Sequence, residues 1–198
     1  MAERNSCCGK SDCCVPQGTP PQRRSVDIQF LYLDLETCSR CQGTETVLAE
    51  ALAEVARVLD SAGYDVRLTK IKVETEQQAT SLRLVSSPTI RVNSHDIQVD
   101  VRESVCGPCS DISGDATDCR VWVYQGVEYD VPPKAVIVEA VLREVFSPEE
   151  NRSTGLPAEF ALPHNLKRFF ESRRATCGAD RCCGSAGRSG AATRTRCC

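Results

Sequence analysis

Residues 25–41 read SVDIQFLYLDLETCSRC. Val26, Ile28, Phe30, Tyr32 and Leu33 supply the β-branched, aromatic and aliphatic side chains of a buried strand. Cys38 and Cys41 follow where a helical period begins, so the stretch reads as a strand that runs into a dithiol at a helix start. Residues three apart on a first turn are surface neighbours, close enough for two sulfurs to bond each other or one soft ion. The unpaired N–H groups and positive dipole end of that turn favour a thiolate, and Arg40 adds a cation between the cysteines. A lowered pKa is therefore expected for at least one of them. Cys38, nearest the helix start, is expected to be the more exposed nucleophile, and Cys41 the buried, resolving thiol. The structural alternative makes the pair one half of a zinc site, which requires a second cysteine or histidine pair folded against it.

Beyond Cys41, the apolar residues Val47, Leu48, Ala51, Leu52, Val55, Val58, Leu59 and Ala62 keep returning to one helix face, and Gly63 is the stop signal. Residues 64–73, YDVRLTKIKV, alternate as a strand with one slip that suggests a bulge. A polar helix over roughly 74–84 follows. Ser87-Pro88-Thr89 introduces a short strand, Ile90 to Val92. Its hairpin partner is expected at Arg120–Tyr124, with a turn at Gln125-Gly126-Val127. Pro132 and Pro133 open a last amphipathic helix through Phe146. Trp122 reads as packing, and Asp34 and Glu36 as loop acids or a proton acceptor for the buried thiol.

The chain has 198 residues, enough for one ordinary domain plus tails, and its 41% hydrophobic content suffices for a core. The domain is expected over 25–147, with an acidic, cysteine-containing insertion at 93–119. A Cys-rich tail at 1–24 precedes it; a linker and short helix at 148–172 and a second Cys-rich tail at 173–198 follow. Both tails are expected to be disordered, and the short helix, with Leu166, Phe169 and Phe170, to dock back on the body or hang loosely. Twelve of the fourteen cysteines cluster in the tails and the insertion, unlike those of a secreted disulfide scaffold. No apolar run resembles a signal peptide or a membrane span, so a reducing, cytoplasmic location is expected. Residues 25–172 carry 14 basic and 24 acidic side chains, a net charge of −10, which argues against nucleic acid as the main partner.

Strand, C-x-x-C, helix, strand, helix, proline-led strand, strand and helix is the order of the thioredoxin-like superfamily, which residues 26–147 resemble, in particular a bacterial branch of unassigned function. The resemblance implies an α/β fold, a four-stranded mixed sheet with helices on both faces. It makes Cys38 and Cys41 the active-site dithiol and Pro88 the cis-proline facing it. Ser39-Arg40 stands where the superfamily usually has Gly-Pro, and no tryptophan precedes Cys38. Cys106-Gly107-Pro108-Cys109 has the letters of that active site but lies in the insertion. With Cys119 it offers three thiolates, to which His95 or an aspartate would add a fourth zinc ligand; a disulfide or redox relay and no special role are the other readings. His95 and His164 otherwise read as surface side chains.

The tails, CCGKSDCC at the start and CCG with a terminal CC at the end, resemble the cysteine-pair segments of arsenical-resistance metallochaperones. A disulfide within a vicinal pair is strained, because adjacent Cα atoms lie about 3.8 Å apart and a relaxed bridge wants roughly 4.4 to 6.8 Å. Cys7-Cys8, Cys13-Cys14, Cys182-Cys183 and Cys197-Cys198 are therefore expected to act as reduced clamps for a soft ion, and Cys177 is a further candidate metal ligand of the second tail. Three function classes follow. The first is thiol-based binding and transfer of As(III), Hg(II) or Cu(I), in resistance or homeostasis, with an efflux ATPase, a reductase or another thiol protein as partner. The second is a thiol–disulfide oxidoreductase using Cys38 and Cys41, and the third an interaction module stabilised by Zn(II).

Overall fold

The computed structural model describes residues 23–147 and 160–179. Strand β1 (Arg24–Tyr32) is the centre of the fold because both of its faces are apolar. Val26, Ile28 and Phe30 enter one core, while Leu31 and the following Leu33 enter another. β2 (Tyr64–Lys72) lies parallel to β1, β3 (Thr89–Val92) antiparallel on its other side, and β4 (His95–Asp96) outside β3. The order β2-β1-β3-β4 makes a four-stranded mixed sheet, as expected. The register of β1 on β2 runs unbroken from Arg24–Tyr64 to Tyr32–Lys72, so the slip in the alternation of residues 64–73 makes no bulge.

On the first face lie α1 (Ser39–Ser61) and α4 (Lys134–Phe146), which bury Leu48, Ala51, Val55 and Leu59 against Ile137, Val141 and Val145. Gly63, at φ 80°, ends α1 in the left-handed conformation that glycine tolerates best. The second face is covered by α2 (Glu76–Ser81), shorter than the 74–84 expected, and α5 (His164–Ala179). α5 runs past the expected boundary at 172, and Leu166, Phe169 and Phe170 dock in the core with Leu31, Leu33, Val73, Ala79 and Leu84.

The fourth strand differs from expectation. Asn93 and Ser94 both adopt positive φ, 49° and 72°, and make a two-residue hairpin that turns β3 back at once into β4. The segment expected as its partner is β6 (Asp118–Tyr124), which instead centres a three-stranded antiparallel sheet between β5 (Arg102–Val105) and β7 (Val127–Tyr129). Gln125 and Gly126, both at positive φ, form the expected turn before β7. The amide of Gln98 ties β6 to the β4 end of the main sheet: its Nε2 donates to the Val121 carbonyl and its Oε1 accepts from the Val123 N–H. Residues 93–119 are thus structured, adding α3 (Gly107–Ser113) between β5 and β6. Trp122 is buried in the first core. Among the described residues, no helix is long and apolar enough to cross a membrane.

Candidate metal centre

The loop before the dithiol is shaped by Asp34. Its Oδ1 accepts from the Glu36 and Thr37 N–H groups, the Thr37 hydroxyl and, at 3.3 Å, the Cys38 N–H. Burial works to raise this carboxyl, but the hydrogen bonds from Thr37, Cys38 and Glu36 outweigh it and hold the group below the usual carboxylate range. Asp34 is therefore a turn former. It delivers Cys38 as the N-cap of α1, with the cysteine sulfur free of any capping bond.

Cys106 begins α3 in the same way, again as an N-cap whose side chain makes no capping bond. Cys109 lies one turn on, and Cys119 sits on β6, paired with Ser104 of β5. The three segments bring the sulfurs of Cys38, Cys106, Cys109 and Cys119 within 4.8 Å of one another, all four residues buried. The Cys38 and Cys106 sulfurs are 3.9 Å apart, and those of Cys109 and Cys119 are 3.2 Å apart. A tetrahedral ion with metal–sulfur bonds of about 2.3 Å would place sulfurs about 3.8 Å apart. The cluster lies around that spacing, and all five cysteines of the body are free thiols.

Cys41 is outside this group of four. It is fully buried, with its sulfur 3.7 Å from the Ser87 hydroxyl, which also accepts from the Leu33 N–H. The Ser87–Pro88 peptide is cis, as expected. The expectation that Cys38 is exposed does not hold: Cys38 and Cys41 are both 0% exposed, because α3 and β6 cover the start of α1. His95 does not complete the sulfur set. Its Nδ1 pairs with Glu144 on α4 at 3.0 Å, and the fourth group is Cys38.

The reduced cluster is electrostatically uneven. Hydrogen bonds from Cys106 first, then from Cys109, Cys119 and Cys41, hold the Cys38 thiol far below its ordinary range despite burial. Cys106 is lowered to about 7 by hydrogen bonds from Cys109 and Cys119. Cys41 is pushed up by its hydrogen bond with Cys38 and by burial, and Cys109 and Cys119 are pushed up foremost by Cys106. The shifts thus favour the thiolate at Cys38, which lies at the positive end of α1, and the thiol at Cys41, Cys109 and Cys119.

Three groups that sequence reading missed hold the cluster in place. Arg40, expected to act as a local cation, points away to fasten β5 and β6. Its Nη1 donates to the Ser104 and Cys119 carbonyls, its Nη2 to the Ser104 hydroxyl and the Val105 carbonyl, and it pairs with Asp130. Asn165 of α5 brackets Asp118 by accepting from its N–H and donating to its carbonyl. Arg168 pairs with Asp115 and reaches the Ala116 carbonyl, fixing the loop that leads into β6 and Cys119. No local sequence signal marks these roles, which depend on partners 47 to 90 residues away. Cys7, Cys8, Cys13, Cys14, Cys182, Cys183, Cys197, Cys198 and the side chain of Cys177 lie outside the described residues.

No curated protein and no solved structure matches the chain. A family model described as a domain of unknown function, DUF2703, matches residues 26–141, from β1 into α4 and including all five cysteines of the body. With more than half of its length inside that match, the chain belongs to the DUF2703 family.

Proposed function

We propose that the protein binds a soft metal or metalloid ion through thiolates and hands it on, the ion being held in the body by Cys38, Cys106, Cys109 and Cys119. The observation that carries this reading is the convergence of four buried sulfurs, from two helix starts and a strand, within 4.8 Å. Neutral thiols packed together gain little, whereas a soft cation at their centre bonds the thiolates and offsets their negative charge in a closed site. Four-coordinate Zn(II) suits such a set, and Cu(I) and Hg(II) compete for the same sulfurs because they prefer soft ligands. In this reading the vicinal pairs of the tails collect As(III), Hg(II) or Cu(I), and the body receives the ion. The likeness to thioredoxin-like proteins and to arsenical-resistance metallochaperones supports that division of labour, with an efflux ATPase, a reductase or another thiol protein as the recipient.

A second reading, thiol–disulfide exchange by Cys38 and Cys41, is favoured by one observation. The Cys38 thiol is shifted down by hydrogen bonds from the neighbouring cysteines while Cys41, one turn behind it, is shifted up by its hydrogen bond with Cys38 and by burial, the direction of split that exchange requires. Native mass spectrometry of the reduced protein after titration with zinc, mercuric, cuprous or arsenite ions separates the two readings. Metal binding predicts one tightly held ion per body. Replacing any of Cys38, Cys106, Cys109 or Cys119 by serine should lower its affinity by about tenfold or more. An unchanged affinity in all four variants would refute the centre.

A further inference from the structure

Metal binding uses four of the five buried sulfurs and leaves Cys41 without a task. Cys41 is one turn behind Cys38 on α1, closed off from solvent and beside Ser87. Residues so spaced at a helix start fall within the Cα separation of about 4.4 to 6.8 Å that a disulfide accepts. Cys38 in turn lies 3.9 Å, sulfur to sulfur, from Cys106. Cys106 borders a cleft of about 250 Å³ whose walls include Ser39, Arg40, Pro108 and Val131. Of the five body cysteines, Cys106 alone lines that cleft. The three residues therefore run inward in sequence: Cys106, itself only 2% exposed, borders the cleft, Cys38 is in contact behind it, and Cys41 is enclosed beside Ser87.

We propose that Cys106, Cys38 and Cys41 form a thiol–disulfide relay that takes oxidising equivalents from a low-molecular-weight disulfide at the cleft and stores them as a Cys38–Cys41 disulfide. The Cys106 thiolate attacks the small disulfide, giving a mixed disulfide and expelling one small thiolate. Cys38 attacks the Cys106 sulfur, forming a Cys38–Cys106 bond and expelling the second small thiolate. Cys41 then attacks the Cys38 sulfur and gives up its proton as Cys106 leaves as a thiolate. In balance, two protein thiols are oxidised to one disulfide and the small disulfide is reduced to two thiols. Cys109 and Cys119 face each other at 3.2 Å but line no part of the cleft, and they stay outside this path. Resting on the metal-binding reading, the relay has a second consequence: capture of Cys38 removes one of four ligands and releases the ion.

The test uses the full-length, reduced protein, once stripped with a chelator and once loaded with zinc, exposed to oxidised glutathione, alkylated at intervals and digested with trypsin. Cleavage after Arg40 separates Cys38 from Cys41, so their disulfide appears as a link between two peptides. The stripped protein should show a glutathione adduct on Cys106 and then the Cys38–Cys41 link. Cys41→Ser should halt at Cys38–Cys106, and Cys106→Ser should slow the Cys38–Cys41 link by about tenfold or more. An unchanged rate in Cys106→Ser, or a Cys109–Cys119 disulfide with Cys38 and Cys41 still reduced, overturns the relay. In the loaded protein a chromogenic chelator should report zinc release in step with the link. A protein that takes up no zinc yet forms the link refutes the metal centre and upholds the relay. Zinc retained after the link forms overturns the coupling of the two.

Discussion

Replacing Arg40 by alanine removes the guanidinium that fastens β5 and β6 to the start of α1. Its contact with the Cys119 carbonyl, at 3.2 Å, is partly buried, and that acceptor loses a charged donor in a place poorly reached by water. Such a loss costs about 1.5–3 kcal/mol. The contacts to Ser104 and Val105 are exposed, so water replaces them and together they add about 1 kcal/mol. The Asp130 partner is 64% exposed, and its screened ion pair adds no more than about 0.5 kcal/mol. The sum, about 3–4.5 kcal/mol, corresponds to a melting temperature lower by about 6–18 °C for a chain of this size. Circular dichroism melts of the reduced, chelator-treated protein measure this without interference from a bound ion. Arg40→Lys keeps the charge without the planar fork and should fall between wild type and alanine, while Asp130→Asn should melt within about 2 °C of wild type. If Arg40→Ala melts with the wild type, the clamp does not bear on the fold. If Asp130→Asn melts as low as Arg40→Ala, the surface ion pair matters and the backbone bonds do not.

Asn165→Ala should cost about 1–3 kcal/mol and weaken zinc binding, because the Asp118 N–H and carbonyl both lose their partner one residue before Cys119; unchanged zinc titration would separate α5 from the centre. Phe169→Ala should cost about 3–5 kcal/mol in denaturant unfolding, since the ring is 1% exposed in the core shared with β1, and a small effect would show that α5 is dispensable there. Stability of the reduced, metal-free protein should peak in mildly alkaline solution. Cys106 has a folded pKa of about 7 against an ordinary value of 9.0, so its contribution is full above 9 and is lost as pH falls towards 7. Cys41, Cys109 and Cys119 are raised, so their contribution is full below 9 and declines above it, where the unfolded chain ionises first. Denaturation midpoints that rise steadily beyond pH 9 would contradict this balance.

The sequence by itself determined the parts of this protein whose causes are local. The two-faced apolar pattern of β1 requires cover on both sides, and the helical period after Cys41 with its stop at Gly63 places α1 against one of them. A dithiol at a helix start follows from residue spacing, and the mixed four-stranded sheet from the resemblance of the element order. The short β3–β4 hairpin escaped because Asn93-Ser94 is a weak turn signal, and the alternating, aromatic β6 offered a more attractive partner for β3. Only the tertiary structure decided the centre. Cys38 stands 68 residues from Cys106, and no period or spacing in the chain reports that α3 and β6 fold over the start of α1. That packing made a single group of the sulfurs that sequence had divided between a redox pair and a separate metal loop. It buried the cysteine expected to be exposed, gave His95 to Glu144, and left Cys41 alone beside Ser87. Local propensity sets which residues form helices and strands, but ligand sets depend on long-range packing, where each contact is decided by the shape of the whole core.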